Sequence, residues 1–190
     1  MAKRLLITCF EPFNNEEINS SSLVVEKLDD KIGEYDLIKL LVPVVYGKAF
    51  EIVYHKIEEI KPDVVLCIGQ AGGRKNVTLE KIAINYRNAS IVDNEGNMYQ
   101  GVKIDEKGSD GIFVNLEVER LSKISESEVS LTAGAFICND LMYMLLNHYG
   151  NSIKMGFIHV PYLPQQDNEK NASMELEEII KKLTLIIENL

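Results

Sequence analysis

The chain has 190 residues, 46% hydrophobic and 26% charged, with 29 acidic against 20 basic side chains and a formal net charge of −9. That length can bury a core without cross-links, and the composition is that of an ordinary folded protein. The acidic balance excludes the electrostatic footprint of a nucleic-acid binder, and no apolar run is long enough to imply a membrane span.

Short apolar runs alternate with helical patterns, without repeats, low-complexity tracts or Pro/Gly linkers, so residues 1–190 are expected to form one domain. The opening MAKRLLITCF reads as a first β-strand centred on Leu5 to Cys9, and not as an export signal. Leu37 to Val42 and Val64 to Ile68 read as further strands, short and apolar on both faces. Between them Phe50, Val53, Ile57 and Ile60 recur at spacings of three and four, predicting a helix that Lys61-Pro62-Asp63 ends. Val77 to Asn85 predicts a strand. Val92 to Lys107, rich in Asn, Asp, Glu and Gly, predicts an exposed hairpin or loop. A helix over Asn115 to Ile124 and a short strand near Val129 to Leu131 follow. The helix after Cys138 is expected to end near His148, with Gly150 as a left-handed cap. Ile153 to Val160 predicts another strand, and Leu176, Ile179, Ile180, Leu183, Ile187 and Leu190 mark the stripe of a C-terminal helix. This alternation implies an α/β fold with a mostly parallel, doubly wound sheet covered on both faces. Ligands in such sheets bind beyond the carboxyl ends of the strands, which directs attention to Phe10–Asn19, Gly69–Asn76, Thr132–Ile137 and Pro161–Gln166.

The three cysteines, Cys9, Cys67 and Cys138, are too few and too scattered for a disulfide framework, contain no C-x-x-C pair for zinc, and fit a reducing cytoplasm. Cys67 and Cys9 read as core residues. Cys138 stands in the first turn of a helix behind the small-residue run Thr132-Ala133-Gly134-Ala135. There the helix dipole is expected to lower a thiol pKa, and backbone donors could face an oxyanion. A small buried core thiol is the competing account. His159 closes an apolar strand, on the face of Ile153, Met155 and Phe157, where a general base would belong and where a satisfied core histidine would equally fit. Glu80, in VTLEKIAIN, falls by alternation on the face of Ile82 and Ile84, where a carboxylate needs a partner such as imidazole or an edge position in water. His55 reads as solvated, and His148 falls in the last helical turn, where a cation suits the helix dipole.

These segments together resemble the pyroglutamyl peptidase I (pyrrolidone carboxyl peptidase) family. The resemblance rests on FEPF at Phe10 to Phe13, GQAGGR at Gly69 to Arg74, EKIAIN at Glu80 to Asn85, DNEGN at Asp93 to Asn97, AGAFICN at Ala133 to Asn139 and GFIHVPYLPQQ at Gly156 to Gln166. It implies a three-layer α/β/α sandwich and a cytoplasmic cysteine peptidase that removes N-terminal pyroglutamate from peptides through a Glu80–Cys138–His159 triad and an acyl-enzyme. It implies no metal or organic cofactor, a peptide as substrate with no nucleic acid or membrane partner, and a homo-oligomer, dimer or tetramer. By the same resemblance Phe10, Phe13 and Phe136 wall a slot for the lactam ring. Backbone groups near Gln70 and Ile137 meet its N–H and C=O, and Asn19 holds its loop in shape.

Four departures stand out, the first being Cys9 where the family has a glycine before FEPF. Asn14-Asn15 replaces the family's Gly-Gly, asparagine being the least strained substitute at positive φ. Ser20 replaces its proline. Ser90 stands where many members have an arginine that assists the oxyanion site, and Arg87, expected three residues away on the opposite face of an extended strand, is not expected to replace it. A related amidase or acyl-transfer enzyme acting on another small cyclic or N-blocked substrate, or a weakly active pyroglutamyl-binding homologue, are the alternatives these changes allow.

Overall fold

Leu5, Leu6 and Ile7 are inaccessible to solvent in β1 (Lys3–Phe10), because this strand runs through the middle of a sheet with helices on both sides. The computed structural model describes residues 2–166 and 172–190. After β1 come α1 (Ser20–Lys27), β2 (Lys31–Ile32), β3 (Tyr35–Val42), α2 (Lys48–Ile60), β4 (Val64–Gln70), β5 (Thr78–Glu80) and β6 (Ile82–Ile84). The second half holds β7 (Gly111–Phe113), α3 (Val118–Ile124), β8 (Glu128–Ser130), α4 (Ile137–Tyr149), β9 (Lys154–Val160) and α5 (Leu176–Glu188).

Seven strands form one sheet in the order β2-β3-β1-β4-β9-β5-β8. β3, β1, β4 and β9 are mutually parallel, as are β5 and β8, while β2 and β5 run antiparallel to their neighbours β3 and β9. Helices α1 and α3 pack against α5, and α2 packs against α4. The result is a three-layer α/β/α sandwich. Most of the apolar runs that read as buried strands are buried: every residue of β4 is, and so is all of β9 after Lys154, whereas β3, bordered on its outer side only by the two-residue β2, leaves Leu41 exposed and Ile38, Lys39 and Leu40 half-buried. Helix α2 buries Ala49, Val53 and Ile57 and stops as expected, with Lys61 in the left-handed region at φ 47° ahead of Pro62.

Two expectations fail. The predicted strand Val77 to Asn85 is two strands in two sheets. β5 pairs with β9 and β8, whereas β6 pairs with β7 in a separate antiparallel ribbon. The chain leaves the main sheet at Lys81, so Glu80 does not share a face with Ile82 and Ile84; it is fully buried and they are half-buried. Gly150 does end α4, but at φ 55° and ψ −121°, a region open to glycine that is not the left-handed helical cap. The segment from Val92 to Lys107 is irregular, as expected, and is tied down by a bridge between Arg87 and Val102.

Candidate active site

The carboxyl ends of β4 and β9 lie side by side, with Gly69 opposite His159, and β5 flanks β9 with Thr78 opposite the same histidine. Gly69 is there because nothing larger fits. A Cβ at this position would lie 2.9 Å from Cys138 Sγ and 2.9 Å from the ring of Phe157. The missing methyl is the space the thiol occupies.

Cys138 enters from α4, whose first turn is bolted in place by its neighbours. Asn139, fully buried, accepts from Ile84 N–H at 2.9 Å and donates to the carbonyls of Ile84 and Tyr86 at 2.9 and 3.1 Å. Asp140 pairs with Arg87 Nε at 2.5 Å. The N-cap is Phe136, extended at φ −106° and ψ −157°, and it offers no side-chain cap. The first N–H groups of a helix have no acceptor within it. With phenylalanine at the cap, those of Ile137 and Cys138 receive none from a capping side chain either. Ahead of them Gly134 takes φ 79°, which a β-carbon would strain, and lets the backbone turn into the helix.

On the other side, His159 Nδ1 is hydrogen-bonded to Glu80 Oε1 at 2.7 Å, both groups buried. A carboxylate accepts this bond from an Nδ1–H, which leaves Nε2 as the lone-pair nitrogen. The same oxygen, Oε1, also accepts from Arg74 Nη1 at 2.5 Å. Arg74 further bonds the Thr78 hydroxyl, and its Nη2 donates to Thr132 O at 2.9 Å.

These parts enclose a cavity of about 290 Å³ lined by Phe10, Phe13, Asn19, Val44, Gln70, Ala71, Gly72, Arg74, Ala133, Gly134, Phe136, Ile137, Cys138 and His159. Phe13 and Phe136 face each other with ring centroids 6.1 Å apart, and Phe10 packs on Phe157 at 6.4 Å. Asn19 caps α1 by accepting from Ser21 N–H at 3.0 Å and reaches back to donate to Glu11 O at 3.0 Å, closing the loop that carries both phenylalanines. Asn14 and Asn15 within it take φ of 54° and 60°, the positive values expected of asparagine in place of glycine. The Gln70 side chain accepts from Ser20 N–H and from Gln166 Nε2, each at 2.7 Å, and donates to Glu16 at 2.7 Å. Ser90 is exposed and does not line the cavity. Arg87 does not replace the arginine missing at Ser90: it is held by Asp140 and stacks over Tyr46 and Tyr99.

Burial dominates the electrostatics. It pushes the Cys138 thiol up to about 12; the Glu80 charge and Cys67 add to the rise, against a smaller pull from Arg74 and the residue's own backbone N–H. Burial therefore opposes the lowering expected of the helix N-terminus, although Cys138 is only half-buried and lines the cavity. Burial likewise lowers His159 below the ordinary histidine value, opposed by the hydrogen bond and charge of Glu80. Burial works to raise the Glu80 carboxyl, but the hydrogen bond and charge of His159, with help from Arg74, outweigh it and hold the group below its usual range. Burial thus favours the neutral forms of the thiol and the imidazole, beside a carboxylate paired with a guanidinium. Cys9 and Cys67 are buried, and burial pushes both to about 12, in keeping with a core role.

Sequence reasoning brought Cys138, His159 and Glu80 forward, and the fold unites them. It missed Arg74, which appeared only as the end of a Gly-Gly-Arg run. The signal was a second one from Glu80: a fully buried carboxylate calls for more than one partner.

The family model for pyroglutamyl peptidases matches residues 3–190. The chain belongs to the pyroglutamyl peptidase family. It is 44% identical to a pyrrolidone-carboxylate peptidase of Brachyspira hyodysenteriae over 97% of this chain and 96% of the relative. Among solved structures it is similar to pyroglutamyl peptidase I of Bacillus amyloliquefaciens, with a TM-score of 0.93 and 36% identity over 99% of this chain and 95% of that one. It is also similar to the pyrrolidone carboxyl peptidase of Fervidobacterium islandicum, with a TM-score of 0.93 and 32% identity over 98% and 97%. Among the described residues of this family member, no helix is long and apolar enough to cross a membrane.

Proposed function

We propose that Cys138, His159 and Glu80 carry out the reaction of the family, in which a cysteine peptidase hydrolyses the bond after an N-terminal pyroglutamyl residue. His159 Nε2 takes the thiol proton as Sγ attacks the pyroglutamyl carbonyl carbon. The oxygen of the tetrahedral intermediate is received by the open Cys138 N–H at the start of α4. His159 then delivers the proton to the departing amine, leaving a thioester on Cys138. Water, deprotonated by the same nitrogen, hydrolyses the thioester to free pyroglutamate and thiol. Glu80 fixes the Nδ1–H tautomer and stabilises the imidazolium that forms. The observation that carries the assignment is the 2.7 Å bond between His159 and Glu80 beside a cavity that Cys138 also lines.

The lactam ring is flat and apolar on its faces, with an amide edge. Phe10, Phe13 and Phe136 supply flat apolar walls, and backbone groups at Gln70 and Ile137 supply partners for the edge, while Asn19 keeps the Phe10–Asn19 loop closed. Proline has the ring without the lactam carbonyl, so it would leave a buried donor unmatched, which a hydrogen-bonding site rejects strongly. We extend the reading to one peptidase domain over residues 1–190, to the cytoplasm, and to a homo-oligomer, dimer or tetramer.

A fluorogenic pyroglutamyl amide should be cleaved far faster than its prolyl analogue, and equal rates would remove the lactam-recognition claim. Cys138→Ser should lower turnover by about 10³-fold or more while leaving the thermal midpoint almost unchanged. Activity that survives it removes the nucleophile assignment.

A further inference from the structure

We propose that Arg74 is a positioning residue for this reaction, one guanidinium that locks the base side of the site to the nucleophile side. The inference rests on the triad reading and extends it to a residue outside the triad. Arg74 Nη1 bonds Glu80 Oε1 at 2.5 Å, the very oxygen that holds His159 Nδ1. Nη2 bonds Thr132 O at 2.9 Å, in the loop that leads through Gly134 and Phe136 into the first turn of α4. The loop after β4, the end of β5 and the approach to Cys138 are thus joined by a single planar group, whose fork geometry no other cationic side chain reproduces. The side chain is three-quarters shielded from solvent and lines the cavity, so the contact is not a loose surface pair.

The second part of the role is electrostatic. The charged and titratable groups that face His159 are Glu80 from β5, Arg74 from the loop after β4 and Cys138 from α4. Burial is the largest influence holding His159 below the ordinary histidine value, and the hydrogen bond and charge of Glu80 work against it by favouring the imidazolium. Arg74 offsets that charge and opposes protonation of His159, while its attraction for a forming thiolate acts in the same productive direction. Arg74 is also committed to Glu80 and Thr132, so it is not a free oxyanion donor.

The test is steady-state kinetics of Arg74→Met and Arg74→Lys on a pyroglutamyl fluorophore amide across pH, beside the native protein and Cys138→Ser. Arg74→Met should lower kcat on the order of 10- to 100-fold with KM close to native, as expected when reacting groups lose their alignment. The acid limb of its kcat/KM profile should move to higher pH, because the cation opposing His159 protonation is gone. Arg74→Lys should keep the native acid limb, since the charge remains, but regain only part of kcat, since an ammonium cannot span both acceptors. An acid limb that stays put in Arg74→Met, or a loss expressed in KM and not in kcat, overturns the proposal. If Arg74→Met does not fold, Arg74→Lys decides alone: a native kcat overturns the role, and a reduced kcat on an unmoved acid limb supports it. Activity surviving Cys138→Ser would instead defeat the triad reading, so the two failures are distinct.

Discussion

At the start of α1, Asn19 sits at the N-cap and its side chain accepts from the N–H of Ser21, two residues on, at 3.0 Å. At the start of α4, Phe136 holds the same place with a similarly extended backbone, and the N–H two residues on belongs to Cys138. Both caps line the one cavity. The first helix end is closed by a side chain chosen for capping, whereas the second carries a residue that cannot cap at all. A capped N-terminus contributes stability; an uncapped one beside a nucleophile retains donors for a charge that exists only during the reaction. Helices α2, α3 and α5 also lack a side-chain cap, so α4 is set apart by the nucleophile that stands beside its open N–H groups, where a cap would compete with the oxyanion.

The sharpest way to break this contrast is to cap α4. Phe136 already has the extended backbone of an N-cap, so Phe136→Ser should place its hydroxyl on the N–H of Cys138 or Asn139. Phe136→Ala removes the ring equally and adds no cap, so the comparison of the two isolates the capping bond. Serine should be more stable than alanine by about 1 kcal/mol in denaturant unfolding. It should also be slower in kcat, by up to about 10²-fold if the bond forms to Cys138 N–H, by analogy with a lost oxyanion donor. If the serine variant is as fast as the alanine variant despite its added stability, the open N–H groups play no part in turnover.

The central sheet was legible because β1, β3, β4 and β9 lie in its interior, so runs such as VVLCIG carry their assignment in composition alone. Helices α2 and α5 announce themselves by a stripe. The short elements fare less well: β2 and β7 have two or three residues each, too few for alternation to register, and α1 begins with three serines; β8 was expected within a residue of its place, and β5 and β6 were expected as a single strand. The switch of sheets at Lys81 is invisible for the same reason, which is why Glu80 was placed on the wrong face, with burial against an imidazole and an edge position in water both left open for it. The state of the Cys138 thiol failed differently. A dipole at a helix end can be read locally, but the burial that opposes it comes in part from Gly69 of β4, beside the Phe157 ring of β9, which meets the sulfur only in the fold. Arg74 was hidden because an arginine after two glycines reads as a solvated loop until its carboxylate partner is located.

That electrostatic outcome sharpens the contrast between the two helix ends. If Cys138 is a neutral thiol near 12 and His159 is neutral with a lowered pKa, the reactive form is the neutral pair. kcat/KM should then rise with pH through a value below the 6.5 of an ordinary histidine, because a depressed pKa means the base is lost only as pH falls that far. It should stay level through neutral and mildly alkaline pH, with no descending limb until the thiol itself ionises. The free protein at neutral pH should show no ultraviolet thiolate absorbance that Cys138→Ser abolishes. Such a signal would mean a standing ion pair and an α4 N-terminus strong enough to outweigh burial.

The smallest effect is expected at the closed end. Asn19→Ala removes the bond to Ser21 N–H, the bond accepted from the Ser21 hydroxyl at 2.7 Å and the bond donated to Glu11 O. Loss of such a cap costs about 1–2 kcal/mol, and for a chain of this size the thermal midpoint should fall by about 2–8 °C. No reacting atom is touched, so kcat should hold, and KM should rise because the loop bearing Phe10 and Phe13 is less firmly closed. A fall in kcat comparable to that of Phe136→Ser would mean that the two helix ends are not divided between stability and chemistry. The two would then share one loop-to-loop network, the one that runs from Asn19 through Ser20 and Gln70 to Gln166.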